Sequence, residues 1–412
     1  MSIDHIADCA RKAGTIKVLH LVHSLNPGGV ETHLLRMMQK IPRSRVAMDI
    51  CCRDARFGPL VDKFLATGAK IVSARWARVP ATPWKVLQTG FVRRLTQILQ
   101  KGEYDLFHVH IPFVSGLAVY SARRAGVPSI LTIHRSTFEP DSTFSRNWFV
   151  RSAYRLYLRQ NLRISVRHAA HVAANSRAAM DRMVGPQAHG SRFSIMYSGI
   201  EHSEPASQEE RADFRRSLGW EPDSRLVLNV GRFDEGKNQR GVVQIFRKVL
   251  ENVPHARLVL VGDGPTRDSI LQLIGQLGLT SQVRWLGTRG DVTSIMSRSD
   301  LLLFPSFTES LSAVVLEAGA AGLPIVTSRI PGMDEAVHDG ASAFLHPVHD
   351  HSAMASSVCR LLQDPALAAE VGRNGQRHVR NGFSSEAAEE QLVRLYQSLI
   401  PAPQTSGLRA CG

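Results

Sequence analysis

Two carboxylates stand inside an otherwise apolar stretch, and their spacing suits a ligand with two ends. In FPSFTESLSAVVLEAGAAGLPIV, residues 304–326, Glu309 and Glu317 have seven residues between them. The stretch reads as strand, polar turn, small-residue helix and second strand. The first strand ends at Pro305, Ser306 to Glu309 form a loop, and Ser310 serves as N-cap for a helix beginning near Leu311. Unpaired amides at Leu311 and Ser312 would meet a phosphate. Glu317, about two turns into that helix, can accept hydrogen bonds from two vicinal ribose hydroxyls, with Glu309 on the reacting side of the phosphate. The plainer reading is a helix with one glutamate favoured by the dipole and another on its surface. The run Gly319, Ala320, Ala321, Gly322 sacrifices helix propensity and points to tight packing on the sheet.

Other candidates also follow strands. In VGRFDEGKN, Arg232 and Lys237 are five residues apart at a helix entry, where two cations can clamp a diphosphate and supply charge that a metal would otherwise supply; a solvated turn is the alternative. In HSLNPGGVETH, Gly28 and Gly29 open a helix and permit close backbone approach to a phosphate or sugar, or form only a tight turn. The G-x-G-x-x-G spacing of a dinucleotide site is missing there, and Cys51 and Cys52 occupy the strand end that would carry its acidic residue. His108 and His110 point to one face of a strand end. With no third ligand at suitable spacing, they read as structural or acceptor-side groups and no metal site is expected. The chain has no D-x-D, in keeping with transfer that needs no metal cofactor.

These residues need a scaffold of strands that end together. Apolar runs at 16–22, 47–52, 70–74, 104–110, 129–134, 171–176 and 193–199 alternate with helical patterns, which argues a parallel sheet of βα units. After the polar stretch EHSEPASQEERADFRRSLGWEPDS the alternation resumes at 225–232, 256–265, 283–287, 300–306 and 324–328, with a helix over 239–251. The expectation is α/β with two Rossmann-like doubly wound domains in series, residues 1–200 and 208–383. A last helix over 384–400, with an apolar face through Leu392, Leu395, Tyr396 and Leu399, need not belong to the domain before it. The tail 401–412 reads as disordered.

Composition is that of a globular protein: 412 residues, 43% hydrophobic and 21% charged. That length exceeds a single domain of ~100–200 residues. No apolar run approaches the ~18 residues that span a bilayer, and the first residues lack the apolar segment of a signal peptide, so a cytoplasmic location is expected. Five scattered cysteines show no disulfide or zinc spacing. The net charge of +14 is unevenly spread: residues 1–205 carry 29 lysines and arginines against 13 acidic residues, and residues 206–412 carry 21 against 23. The first half is therefore suited to an anionic surface or acceptor, or reflects an arginine-rich genome. In RNWFVRSAYRLYLRQNLRISVRH, Arg151, Arg155, Arg159, Arg163 and Arg167 recur every four residues as a slowly turning basic stripe. Trp148, Phe149, Tyr154, Tyr157 and Leu158 interleave with them, so this helix suits the inner face of the plasma membrane or a lipid diphosphate; a solvated arginine face is the alternative.

Taken together, NPGGVE, HVH, TIH, NSRAAM, SGIE, VGRFDEGKN, VGDGP and the E-x7-E of FTESLSAVVLEAGAAGLPIV make a chain that resembles, from about residue 16 to 400, the retaining family-4 glycosyltransferases of the GT-B fold, of the group 1, exopolysaccharide type. The resemblance implies two Rossmann-like domains facing a cleft, with the terminal helix crossing back to the first. It implies a nucleotide-sugar donor, no cofactor, and a glycan or lipid-linked acceptor. It places Gly29 and its loop beside the donor diphosphate and acceptor, Arg232, Lys237 and the Ser310 and Leu311 amides on the diphosphate, Glu317 on the ribose and Glu309 on the transferred sugar. His134, closing SILTIH, matches the family histidine that lies against that sugar. Two positions depart from the pattern: Met333 in IPGMDE and Ala343 in DGASAF stand where glycines are common. A nucleotide-sugar epimerase would need acid and base groups converging on one sugar carbon. A nucleic-acid-binding protein would account for the basic first half, but the neutral second half and the lack of any nucleic-acid module weigh against it.

Overall fold

Uninterrupted apolar strands suit a parallel sheet covered on both faces, and among the described residues every strand pairing is parallel. The computed structural model describes residues 14–54, 57–74, 89–133, 148–185 and 188–400. The expectations for His134 and for the tail 401–412 fall outside these residues. The chain divides into two compact units. The first takes the described residues of Met1–Asn175, Met180–Met196 and Glu389–Gly412, and the second takes Ser176–Ala179 and Tyr197–Ala388.

The first unit holds strands β1 (Ile16–Val22), β2 (Val46–Cys52), β3 (Ile71–Ser73), β4 (Leu106–Val109), β5 (Ser129–Ile133), β6 (His171–Ala174) and β7 (Phe193–Ile195), in sheet order β3-β2-β1-β4-β5-β6-β7. The second holds β8 (Arg225–Val230), β9 (Ala256–Val261), β10 (Val283–Trp285), β11 (Leu301–Phe304), β12 (Ile325–Ser328) and β13 (Phe344–His346), in order β10-β9-β8-β11-β12-β13. Both are the two-way winding of a Rossmann-like sheet. The order reverses between β1 and β4 in one and between β8 and β11 in the other, and crevices open at such points beyond the carboxyl ends of the strands.

Alternation builds the core. Leu226, Leu228 and Val230 of β8 enter one apolar cluster, whereas Val227 enters the cluster on the opposite face with Leu258 and Leu260. The terminal helix Ser385–Leu399 belongs with the first unit from Glu389 onward. Its Leu392, Val393 and Tyr396 join the apolar cluster of β1 and β2, and Gln391 Nε2 donates to Ile195 O at 2.9 Å. Three local readings change. The polar stretch after residue 200 contains a helix, Gln208–Ser217, with a capping box in which Ser207 Oγ accepts from Glu210 N and Glu210 Oε2 accepts from Ser207 N. The short strand β13 is not among the apolar runs read from the sequence. From β3 to β12 the strands are also shorter than their apolar runs. Cys51, Cys52 and Cys359 are free and buried, and burial pushes the Cys52 thiol up to about 12.

Candidate active site

The carboxyl ends of β8 and β11 bring most of the charged candidates together. Beyond β8 the backbone is pinned to the next loop: Gly231 N donates to Val261 O at 3.0 Å and Phe233 N to Asp263 O at 3.0 Å. The approach is so close that a Cβ on Gly262, whose φ is +127°, would lie 2.0 Å from Gly231 O. Only glycine fits both the space and the backbone conformation. Arg232 points outward, its side chain 70% exposed and 3.8 Å from Asp234. Asp234 Oδ1 accepts from Lys237 N at 3.1 Å and so winds Glu235–Lys237 into a single 3-10 turn.

Asn238 then does three jobs. Its φ of 55° reverses the chain, its Oδ1 accepts from Gly241 N at 3.0 Å to start the helix Gln239–Leu250, and its Nδ2 donates to Pro305 O at 2.9 Å. Phe307 N donates to Gly236 O at 2.9 Å, so the loops after β8 and β11 are joined twice. The result is an ion pair. Lys237 Nζ lies 2.5 Å from Glu309 Oε1, with side chains 26% and 10% exposed, and 5.3 Å from the centre of the Phe304 ring. A carboxylate seen in the sequence as a lone loop charge is thus the partner of a lysine 72 residues away.

The helix after β11 starts later than its sequence suggested. Ser312, not Ser310, is the N-cap; its Oγ accepts from Val315 N and the helix runs Ala313–Ala320. Ser312 has the extended backbone of a cap, so Ser310 and Leu311 precede the helix as loop. Glu317 is half-buried and is the fifth helical residue, little more than one turn in. The alanines of the small-residue run join the apolar cluster on the sheet, and its glycines pack on another helix. A Cβ on Gly372, in Pro365–Gly382, would lie 2.1 Å from Gly322 O, and one on Gly319 would meet Val379 at 2.9 Å. Met333 is fully buried in the core, and the close contact falls to its neighbour Gly332, whose Cβ would lie 2.0 Å from Ser310 O. Ala343 is likewise fully buried. Glu335 accepts from the amides of Arg177 and Ala178 at 2.8 and 3.0 Å and from Tyr197 Oη at 3.0 Å, so in NSRAAM the helix N-terminus already holds an anion.

In the first unit, Gly28 and Gly29 begin the helix Gly29–Lys40 after β1, with Gly28 as the N-cap in extended backbone. His108 of β4 and His110 just beyond it do lie side by side, their ring centres 4.1 Å apart, and the structure adds the histidine that the sequence reading missed. His20 of β1 is the register partner of His108, and the ring nitrogens of His20, His108 and His110 lie within 4.8 Å of one another. The expectation that no third ligand exists is therefore corrected: these three imidazoles are the group among the described residues that could hold a metal ion. Each ring is also hydrogen bonded. His20 Nδ1 lies 3.0 Å from His110 Nε2, His108 Nδ1 lies 2.8 Å from Tyr396 Oη, and His108 Nε2 lies 2.5 Å from Thr132 Oγ1. A histidine interrupting the apolar run IKVLHLV was the signal available for His20.

The basic stripe is confirmed as helix Trp148–His168, but it winds out from the body rather than facing one way. Arg151 and Arg155 are half-buried, and Arg159, Arg163 and Arg167 are exposed. Tyr157 and Leu158 turn inward: Leu158 is buried and Tyr157 Oη donates to Phe113 O at 3.1 Å. Trp148 and Phe149, 68% and 75% exposed, remain outside with Leu156 and Ile164. Among the described residues no helix is long and apolar enough to cross a membrane.

Comparison with known proteins places each half. Residues 210–378 match the model described as glycosyl transferases group 1, and residues 27–204 match that of glycosyltransferase family 4. The chain is 25% identical over 317 residues to N-acetyl-alpha-D-glucosaminyl L-malate synthase of Bacillus anthracis, covering 74% of this chain and 78% of that protein. It is 24% identical over 394 residues to UDP-Gal:alpha-D-GlcNAc-diphosphoundecaprenol alpha-1,3-galactosyltransferase of Escherichia coli, covering 93% and 97%. Among solved structures, that of Anabaena HepE in complex with UDP-glucose is similar, with TM-score 0.75 at 22% identity, covering 93% of this chain and all of that one.

Proposed function

The chain belongs to the family 4 glycosyltransferases, with its second half of the group 1 type, and on that premise we propose that it moves a hexose from a UDP- or GDP-sugar, with retention of configuration, to a hydroxyl of a lipid-linked glycan in cell-surface or exopolysaccharide synthesis. The observation that carries this reading is the Lys237–Glu309 pair, held by Asn238 at the switch point of the second sheet, with Arg232 exposed beside the same turn. Membership of the family, and a relative named as a galactosyltransferase, do not favour the epimerase reading.

The proposed chemistry follows from charge. A departing nucleoside diphosphate gains negative charge, and Arg232, Lys237 and backbone amides of Ser310 and Leu311 are the groups assigned to receive it, without a metal. Glu317 is assigned to the ribose hydroxyls, and Gly29 to the diphosphate. In front-face transfer the sugar C1–O bond to the diphosphate breaks while the acceptor oxygen bonds C1 from the same side. The leaving phosphate oxygen takes the acceptor proton, and Glu309, with His134, stabilises the positive charge on the sugar. Gly28, His108 and His110 are assigned to the acceptor side.

A thermal-shift screen of UDP, GDP, ADP and their common sugars, run with and without EDTA, tests the donor assignment. One nucleotide class should stabilise the protein in both conditions, by about 2.7 kcal/mol at a concentration of about 100 Kd. No shift with any of them would overturn it. For the acceptor, the face carrying Trp148, Phe149, Leu156, Ile164, Arg159, Arg163 and Arg167 is proposed to rest on an anionic membrane, where each cation contributes about 1 kcal/mol. Arg159→Glu with Arg163→Glu should weaken sedimentation with phosphatidylserine vesicles at least ~30-fold; unchanged binding would refute the membrane face.

A further inference from the structure

Thr132, His108, Tyr396, His20 and His110 form one line of contacts, drawn from β5, β4, the terminal helix and β1. The successive separations are 2.5 Å from Thr132 Oγ1 to His108 Nε2, 2.8 Å from His108 Nδ1 to Tyr396 Oη, 3.4 Å from Tyr396 Oη to His20 Nε2, and 3.0 Å from His20 Nδ1 to His110 Nε2. The first four side chains are buried, and His110 at the end is half-buried. None of these five is a carboxylate, so an imidazolium inside the line would be a buried charge with no anion in the line to compensate it. Burial, and then the neighbouring His110, hold the His20 pKa well below the usual histidine value, and burial holds Tyr396 well above the usual phenol value.

A neutral imidazole has one donor nitrogen and one acceptor nitrogen. A hydroxyl can accept twice but has one proton to place, so once each buried hydroxyl proton is given an acceptor the direction at one end sets the direction of all. Thr132 decides it: among the described residues its hydroxyl, 4% exposed, meets no hydrogen-bond partner except His108 Nε2. Leaving that proton without an acceptor would carry a desolvation penalty, so the hydroxyl donates. His108 then donates from Nδ1 to Tyr396, Tyr396 donates to His20 Nε2, and His20 donates from Nδ1 to His110 Nε2.

We propose that Thr132, acting through His108, Tyr396 and His20, locks His110 as its Nδ1–H tautomer, so that His110 serves as a proton donor toward an oxygen of the acceptor and not as its base. Thr132 and Tyr396 are positioning residues in this arrangement, and the terminal helix matters to the acceptor end because it supplies the middle link. The acceptor role rests on the glycosyltransferase reading above; the tautomer does not.

The test is long-range proton–nitrogen NMR of the full chain labelled with 15N-histidine, with signals assigned by single His→Gln variants. All three histidines should show a protonated Nδ1 and an unprotonated Nε2, opposite to the tautomer that free histidine favours. Thr132→Val should release His108 to Nε2–H or a mixture and carry His20 and His110 with it, Thr132→Ser should restore the wild-type pattern, and Tyr396→Phe should release His20 and His110 while His108 stays held. Protonated Nε2 on any of the three in the wild type, spectra unchanged by Thr132→Val, or one equivalent of a transition metal retained on these rings would each overturn the proposal. If Tyr396→Phe does not fold, the wild-type pattern and the two threonine variants still decide. Nucleotide stabilisation should be the same in wild type and Thr132→Val, so failure of the relay and failure of the donor reading are read separately.

Discussion

Lys237→Ala is expected to weaken binding of the preferred nucleoside diphosphate by roughly 10²-fold, whereas Glu309→Gln should bind it at least as tightly as the wild type and lose turnover by roughly 10²–10³-fold. The two residues form one partly buried pair, so a purely structural role would make both variants fail alike. The asymmetry comes from the ligand. Removing the lysine leaves the Glu309 carboxylate facing a diphosphate without the ammonium between them, while removing the carboxylate charge leaves an ammonium that the diphosphate neutralises. Calorimetric titration of both variants separates these cases, and single-turnover transfer with the donor measures the chemical cost. Equal losses of affinity would assign the pair to loop structure.

Gly262→Ala should be among the most damaging small substitutions in the second unit, lowering its stability by about 2–5 kcal/mol. Two costs add. The added Cβ would stand 2.0 Å from Gly231 O, and a φ of +127° disfavours any residue with a side chain. Neither can relax easily, because Gly231 and Phe233 are both bonded to the loop that carries Gly262. Trp285 Nε1 donates to Gly262 O at 2.7 Å, so tryptophan fluorescence during guanidinium unfolding reports the transition where the change is made. Gly275→Ala is the matching control: it lies in the helix Arg267–Gln276, where an added Cβ meets nothing within 4 Å, and should be neutral or stabilising by up to about 1 kcal/mol. A similar midpoint for both variants would remove the close-approach argument.

The charged candidates around the first of these predictions are legible from residue type and local pattern. Arg232, Lys237, Glu309 and Glu317 stand in loops or a helix after strands, and the alternation that locates those strands is a short-range signal. Where local pattern misled, a neighbour in space had intervened. Ser310 has the chemistry of an N-cap, but Gly332 packs against its carbonyl and the helix opens at Ser312. Tyr157 and Leu158 sit among arginines in sequence, yet Leu158 is buried and Tyr157 donates to the Phe113 carbonyl.

By itself the sequence determined two parallel βα units, the family, and the charged groups near the carboxyl ends of the strands, since each follows from residue type and short-range period. Tertiary structure alone decided the partners. Lys237 meets Glu309 because β8 and β11 are adjacent although two strands separate them in the chain, and His20 meets His108 because β1 lies beside β4. Tyr396 reaches both histidines because the terminal helix returns to the first unit, and Gly372 and Gly322 touch because two helices cross. Strand order and helix docking bring distant residues within hydrogen-bonding distance, and no short-range period records which distant residue will arrive.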